Sequence, residues 1–180
     1  MRKLITLTTL TLLCSTSIAQ EPALHYNEAS LSYAAYKSGS TTYNGYAADV
    51  GAMFTQNIYG LANYQSVDNG HISQSKLGLG YKMPVGGGAD GFFTLKYESD
   101  TETATTNGYS LGAGVRAKVT GDMDIIGGYS YRIMGSLKDY TFDAGLNYKF
   151  NSNMFGKLGY SNTAGDSSSS AYVLGLGLNF

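Results

Sequence analysis

After its N-terminal region this chain breaks into segments of about ten residues in which apolar and polar side chains alternate, separated by Gly, Asn, Asp and Ser clusters. Residues 109–120 show the pattern most cleanly. Tyr109, Leu111, Ala113, Val115, Ala117 and Val119 fall on one face, and Ser110, Gly112, Gly114, Arg116, Lys118 and Thr120 on the other. A helix would scatter the two sets around its axis, whereas a strand separates them. The same rule organises 46–55, 74–83, 91–98 and 140–150. It holds with exceptions over 30–37, 123–133 and 154–162, where Ile126 interrupts a polar face. Segment 58–67 has no clearly apolar face. The pattern predicts ten strands, over 29–37, 44–55, 58–67, 71–83, 91–99, 107–120, 122–133, 139–150, 153–162 and 170–180. Eight is the alternative, if 58–67 and a neighbour are loop.

The first residues follow a different logic. Met1-Arg2-Lys3, an apolar stretch from Leu4 to Leu13 and the small residues Ser17 and Ala19 make a secretory signal, with cleavage expected after Ala19. A lipoprotein reading through Cys14 has Leu13 where a small residue belongs. The expected organisation is a signal peptide at 1–19, a short periplasmic segment at 20–28 and one β-domain at 29–180. Cleavage removes Cys14, the only cysteine, so the mature chain relies on pairing and packing rather than disulfides. It also takes the net charge from −1 to about −3, since Arg2 and Lys3 leave, and nothing points to nucleic acid.

Alternation alone does not separate a soluble sandwich from a barrel in lipid. Composition and placement do. Charged residues are only 14% of the chain, beside 24 Gly and 16 Tyr, and no later stretch is long and apolar enough for a membrane helix. On the apolar faces, aromatic residues sort to the strand ends. Tyr46, Tyr97, Tyr109, Tyr131, Tyr140, Tyr160 and Tyr172 fall at one end, and Phe54, Tyr81, Phe93, Tyr148, Phe150 and Phe180 at the other. Val50, Leu79, Leu95, Val115, Leu146, Leu174 and Leu176 lie between them. Two aromatic girdles around an aliphatic band suit a bilayer. The opposite face carries the acids Asp49, Glu98, Asp124 and Asp143 and the bases Lys76, Lys82, Lys96, Arg116, Lys118, Arg132, Lys149 and Lys157. Burying these between two sheets would be costly, while a barrel lumen can pair or hydrate them. Asp49, Lys76, Lys96, Arg116, Asp143 and Lys157 are the leading lumen-facing candidates. Connections at the far end, such as 99–107 and 163–170, read as longer and more polar than turns such as 56–57, 121–122 and 151–152.

The final segment carries a resemblance. Tyr172, Leu174, Leu176, Leu178 and Phe180 alternate up to a terminal phenylalanine. This resembles the C-terminal signature of Gram-negative outer-membrane proteins. With the signal sequence, the chain is similar in pattern to small porin-like, opacity-type outer-membrane barrels. The resemblance implies an all-β, up-and-down transmembrane barrel in the cell outer membrane. It implies outer-membrane lipid and the barrel-assembly machinery as partners.

Catalysis finds little support. His25 and His71 lie far apart, and with no cysteine in the mature chain they do not make a metal site. A Ser–His–acid set drawn through His71 and Ser73 has nothing to distinguish it from loop residues. The Gly-x-Gly pairs at 78–80, 112–114 and 175–177 sit inside strands and are not phosphate loops. Gly86-Gly87-Gly88 reads as a flexible turn. No enzyme activity, cofactor or metal is expected. The leading expectation is a barrel with a largely occluded, charge-lined lumen and a structural or surface-interaction role. The alternative is a small porin favouring anions, since eight inward bases would face four acids. A periplasmic β-sandwich binding module is the more distant alternative.

Overall fold

The computed structural model describes residues 24–67, 72–101 and 104–180. The signal segment, His71 and the Asp68–Gly70 turn lie outside the described residues. Ten strands are present: β1 (Glu28–Ser38), β2 (Thr41–Met53), β3 (Ile58–Val67), β4 (Ile72–Gly86) and β5 (Ala89–Thr101), then β6 (Thr105–Lys118), β7 (Met123–Met134), β8 (Leu137–Lys149), β9 (Met154–Gly165) and β10 (Ser169–Asn179). Each pairs antiparallel with its chain neighbours, and β1 pairs with β10 to close the barrel. The ten-strand count therefore holds, and the eight-strand and sandwich alternatives fall. Closure leaves no free sheet edge, the condition for a sheet to sit in hydrocarbon.

Segment 58–67, whose faces looked alike, is a full strand. Tyr59, Leu61, Asn63, Gln65 and Val67 point inward, and Ile58 and Tyr64 outward. Its inward face mixes apolar and polar residues because the lumen does too. Ile126, the exception on a polar face, is buried inside against Phe92 and Val173.

The expected asymmetry of the connections is corrected. The polar tracts 99–107 and 163–170 are mostly strand: Thr101 pairs with Thr105, and Thr163 with Ser169. Connections are short at both ends, for example 39–40 and 135–136 at the far end and 87–88 beside the termini. Polar side chains report where the apolar environment stops, but backbone pairing continues past that point. The 87–88 hairpin is sharp because Gly86, Gly87 and Gly88 all adopt positive φ (94°, 62° and 74°), a backbone that residues with a Cβ rarely take. This turn is tight where the sequence suggested flexibility.

The exterior is apolar. Leu31, Leu77, Leu79, Leu95, Leu111, Leu158, Leu174 and Leu176 are exposed on it, together with the two aromatic sets, of which Tyr131 and Tyr160 are half-buried. Tyrosines of the far-end girdle meet as cross-strand neighbours. Ring centroids lie 5.5 Å apart for Tyr97–Tyr109, 5.0 Å for Tyr131–Tyr140 and 5.0 Å for Tyr160–Tyr172. Such a surface is stable against lipid and insoluble in water.

Candidate functional site: the interior of the barrel

Inward positions of all ten strands converge on one narrow interior, and charged side chains fill much of it in three linked groups. Nearest the far end, Arg132 on β7 reaches three acids. Its Nη2 lies 2.7 Å from Asp139, and its Nη1 lies 3.2 Å from Asp100 and 3.7 Å from Glu98. Glu98 also holds Lys76 at 3.1 Å and accepts a hydrogen bond from Ser110. Asp100 accepts from Gln74, and Asp139 accepts the Ser167 backbone N–H at 2.8 Å. The cluster thus ties β4, β5, β6, β7 and β8 to the β9–β10 turn.

A second group crosses the barrel between β9 and β2. Lys157 Nζ sits 2.5 Å from Asp49 Oδ2 and 3.2 Å from Ser30 Oγ. Ser30 donates to Asp49 at 3.1 Å, and Asn63 donates to its other oxygen. The third group lies at the end beside the termini. Arg116 pairs with Asp124 at 2.9 Å and Glu28 at 3.8 Å, Lys149 lies 4.0 Å from Asp124, and Lys82 lies 3.3 Å from Asp90.

Chain segment 24–27 lies inside that end of the barrel rather than in front of it. Leu24 and Tyr26 are buried against Tyr59 and Leu61. The Tyr26 and Tyr59 rings lie 4.8 Å apart, and Lys82 and Arg116 sit 5.2 and 5.8 Å from the centre of the Tyr26 ring. These are cation–π distances. Arg116 Nη1 donates to the His25 carbonyl at 2.7 Å. Asn27 then staples the seam, accepting from Met53 N at 2.7 Å through Oδ1 and from Phe180 N at 3.1 Å through its carbonyl. Burial, with Lys149 and Arg116 nearby, holds the His25 imidazole below the ordinary histidine value, against an opposing pull from Asp124.

Aromatic rings fill more of the interior. Tyr59 covers Gly80, Phe92 covers Gly114 and Phe155 covers Gly177, each directly across a strand pair. A side chain at any of these glycines would strike the ring. At these three positions the space left by the missing side chain goes to a ring.

The six candidate charges are placed as follows. Asp49 and Lys157 meet each other, Lys76 meets Glu98, and Arg116 joins Asp124 and Glu28. Lys96 and Asp143 are buried and make no ion pair within 4 Å among the described residues. Tyr172, Leu174, Leu176, Leu178 and Phe180 are all exposed on the outer face. Sequence reasoning missed Tyr26 and four inward acids: Glu28, Asp90, Asp100 and Asp139. Their parity could have found them. Asp100 continues Lys96 and Glu98, Asp90 precedes Phe92 and Thr94, Asp139 precedes Thr141 and Asp143, and Glu28 precedes Ser30. The count is corrected accordingly: eight inward acids face eight inward bases among the described residues, so the basic excess behind the anion preference disappears.

No protein-family model matches the sequence, and no curated protein matches it. Solved structures do resemble the fold. The KdgM porin, solved in complex with disordered oligogalacturonate, matches with a TM-score of 0.53 at 13% identity over 84% of this chain and 99% of that one. The NanC porin matches with a TM-score of 0.52 at 8% identity, over 83% and 100%. The chain has the fold of small outer-membrane β-barrels of the porin kind.

Proposed function

We propose that this protein is an integral outer-membrane barrel whose lumen is closed, acting as a structural or surface-interaction element rather than as an open pore. The observation that carries the reading is the paired interior. The Arg132, Lys157 and Arg116 groups cross the lumen, and the Tyr26 segment sits in the end beside the termini. Small barrels fill their interiors with side chains, and only much larger ones reliably leave an aqueous channel. The membrane setting is supported by the apolar exterior and its aromatic girdles. The proposal includes export with cleavage after Ala19. It also includes recognition of Tyr172, Leu174, Leu176, Leu178 and Phe180 by the barrel-assembly machinery.

The likeness to porins favours a second reading, a small diffusion pore. KdgM was solved with an acidic oligosaccharide, oligogalacturonate. An acidic solute needs a basic path, and here inward acids and bases balance. Conductance of the refolded protein in a planar bilayer under a salt gradient decides between the readings. Silence from protein shown to be folded is the expected result. Steady, ion-selective channels would replace the closed barrel with the pore.

A further inference from the structure

Among the described residues, every other buried charge inside this barrel has an oppositely charged partner within 4 Å, but Lys96 on β5 and Asp143 on β8 do not. Both are more than nine-tenths buried, and Asp143 Oδ1 has no hydrogen-bond partner among the described residues. The two line the same interior chamber, together with Thr94, Ser130 and Phe92. The chamber exists because Gly112 and Gly128 present no side chain to it; a Cβ on Gly112 would lie 2.6 Å from Thr94 Oγ1. Along β5, β6 and β7 it lies between the Arg132 group on one side and the Arg116 group on the other.

Size and lining define what fits. The chamber measures about 20 Å³. A buried water needs about 10–15 Å³ on this measure and two to four polar partners. Among its lining residues, Lys96, Asp143, Thr94 and Ser130 carry four candidate groups. A metal cation would be repelled by the ammonium, an anion by the carboxylate, and an organic solute would not fit. A dry chamber would leave two opposite charges buried without solvation, an arrangement far costlier than a bridged one.

We infer that the space between Lys96 and Asp143 is a buried hydration site, holding water that accepts from the ammonium and donates to the carboxylate. It makes the closed barrel wet at mid-height and solvates the two inward charges that no direct ion pair reaches. The unaltered protein tests this. In a high-resolution crystal structure, a water within hydrogen-bond distance of both Lys96 Nζ and the Asp143 carboxylate supports the site. An empty chamber, or a direct Lys96–Asp143 contact, overturns it. In micelles, long-lived water should show cross-relaxation to backbone amides at 94–96 and 128–130. That signal should be lost in the folded Lys96→Met/Asp143→Leu variant. Its absence from the folded wild-type barrel, or its persistence in the double variant, would reject the bridging role.

Discussion

Arg132 faces three carboxylates at once, and only 1% of its surface is exposed. Removing it strands Asp100 and Asp139 in the interior and leaves Glu98 with Lys76 alone. Arg132→Met should therefore cost about 3–5 kcal/mol, read from denaturant unfolding in lipid vesicles. Arg132→Lys should recover only part of that, since a point-like ammonium does not reproduce the guanidinium fork. His25 gives a pH-dependent counterpart at the other end of the barrel. Its pKa is lowered in the folded state, so the unfolded or undocked segment binds a proton more readily. Stability of the docked 24–27 segment is thus full above the ordinary histidine value of about 6.5 and falls as pH drops from there toward the folded-state pKa. Protection of the Tyr26 and Asn27 amides, taken relative to their intrinsic exchange rates at each pH, should fall over that window in wild type and stay flat in His25→Gln. Equal pH dependence in both would remove His25 as the cause.

At the scale of the strand, parity decides the outcome of a substitution. Leu176 on β10 is 59% exposed on the outer face, opposite Leu31 of β1. Leu176→Arg places a charge in the aliphatic band and should cost about 2–4 kcal/mol in vesicle unfolding titrations. A negligible cost would move that face out of the hydrocarbon. Inward, Gly114 lies beneath the Phe92 ring. Gly114→Val should strike both the ring and the β7 backbone at Gly127 and Gly128 and cost about 1–3 kcal/mol, only part of which Phe92→Ala in the same chain should recover. The strand faces were legible in sequence because period-two alternation needs no knowledge of neighbours. Strand ends were less so: pairing extends to Thr101 with Thr105 and to Thr163 with Ser169, in tracts that a polar composition disguised as loop.

For the whole molecule, the proposed reading has the lumen closed in depth rather than by one plug. The Tyr26 segment, the Lys157–Asp49 group and the Arg132 group occupy successive parts of it. A chain lacking residues 24–26 should consequently remain silent in planar bilayers, although its β1 end is less protected from exchange. Conductance on that deletion alone would make the segment the sole gate. The antiparallel closure between β1 and β10 also ties chain ends together, and Asn27 reinforces the seam by bonding to both Met53 and Phe180.

The sequence by itself determined that the chain forms alternating strands with an apolar, aromatic-girdled face and a charged one, while the choice between ten and eight waited on 58–67. Those properties belong to each strand alone and follow from the geometry of the pleat. Only the tertiary structure decided which inward groups meet. Lys157 and Asp49 lie 108 positions apart, and Tyr26 reaches Arg116 from the far side of the chain. Barrel closure and register set those distances, and no local pattern encodes them. The balance of inward charge changed with strand length: Glu28, Asp90 and Asp100 count as interior once the strands run past their predicted ends, whereas Asp139 shares the inward parity of Thr141 and Asp143 within its predicted strand.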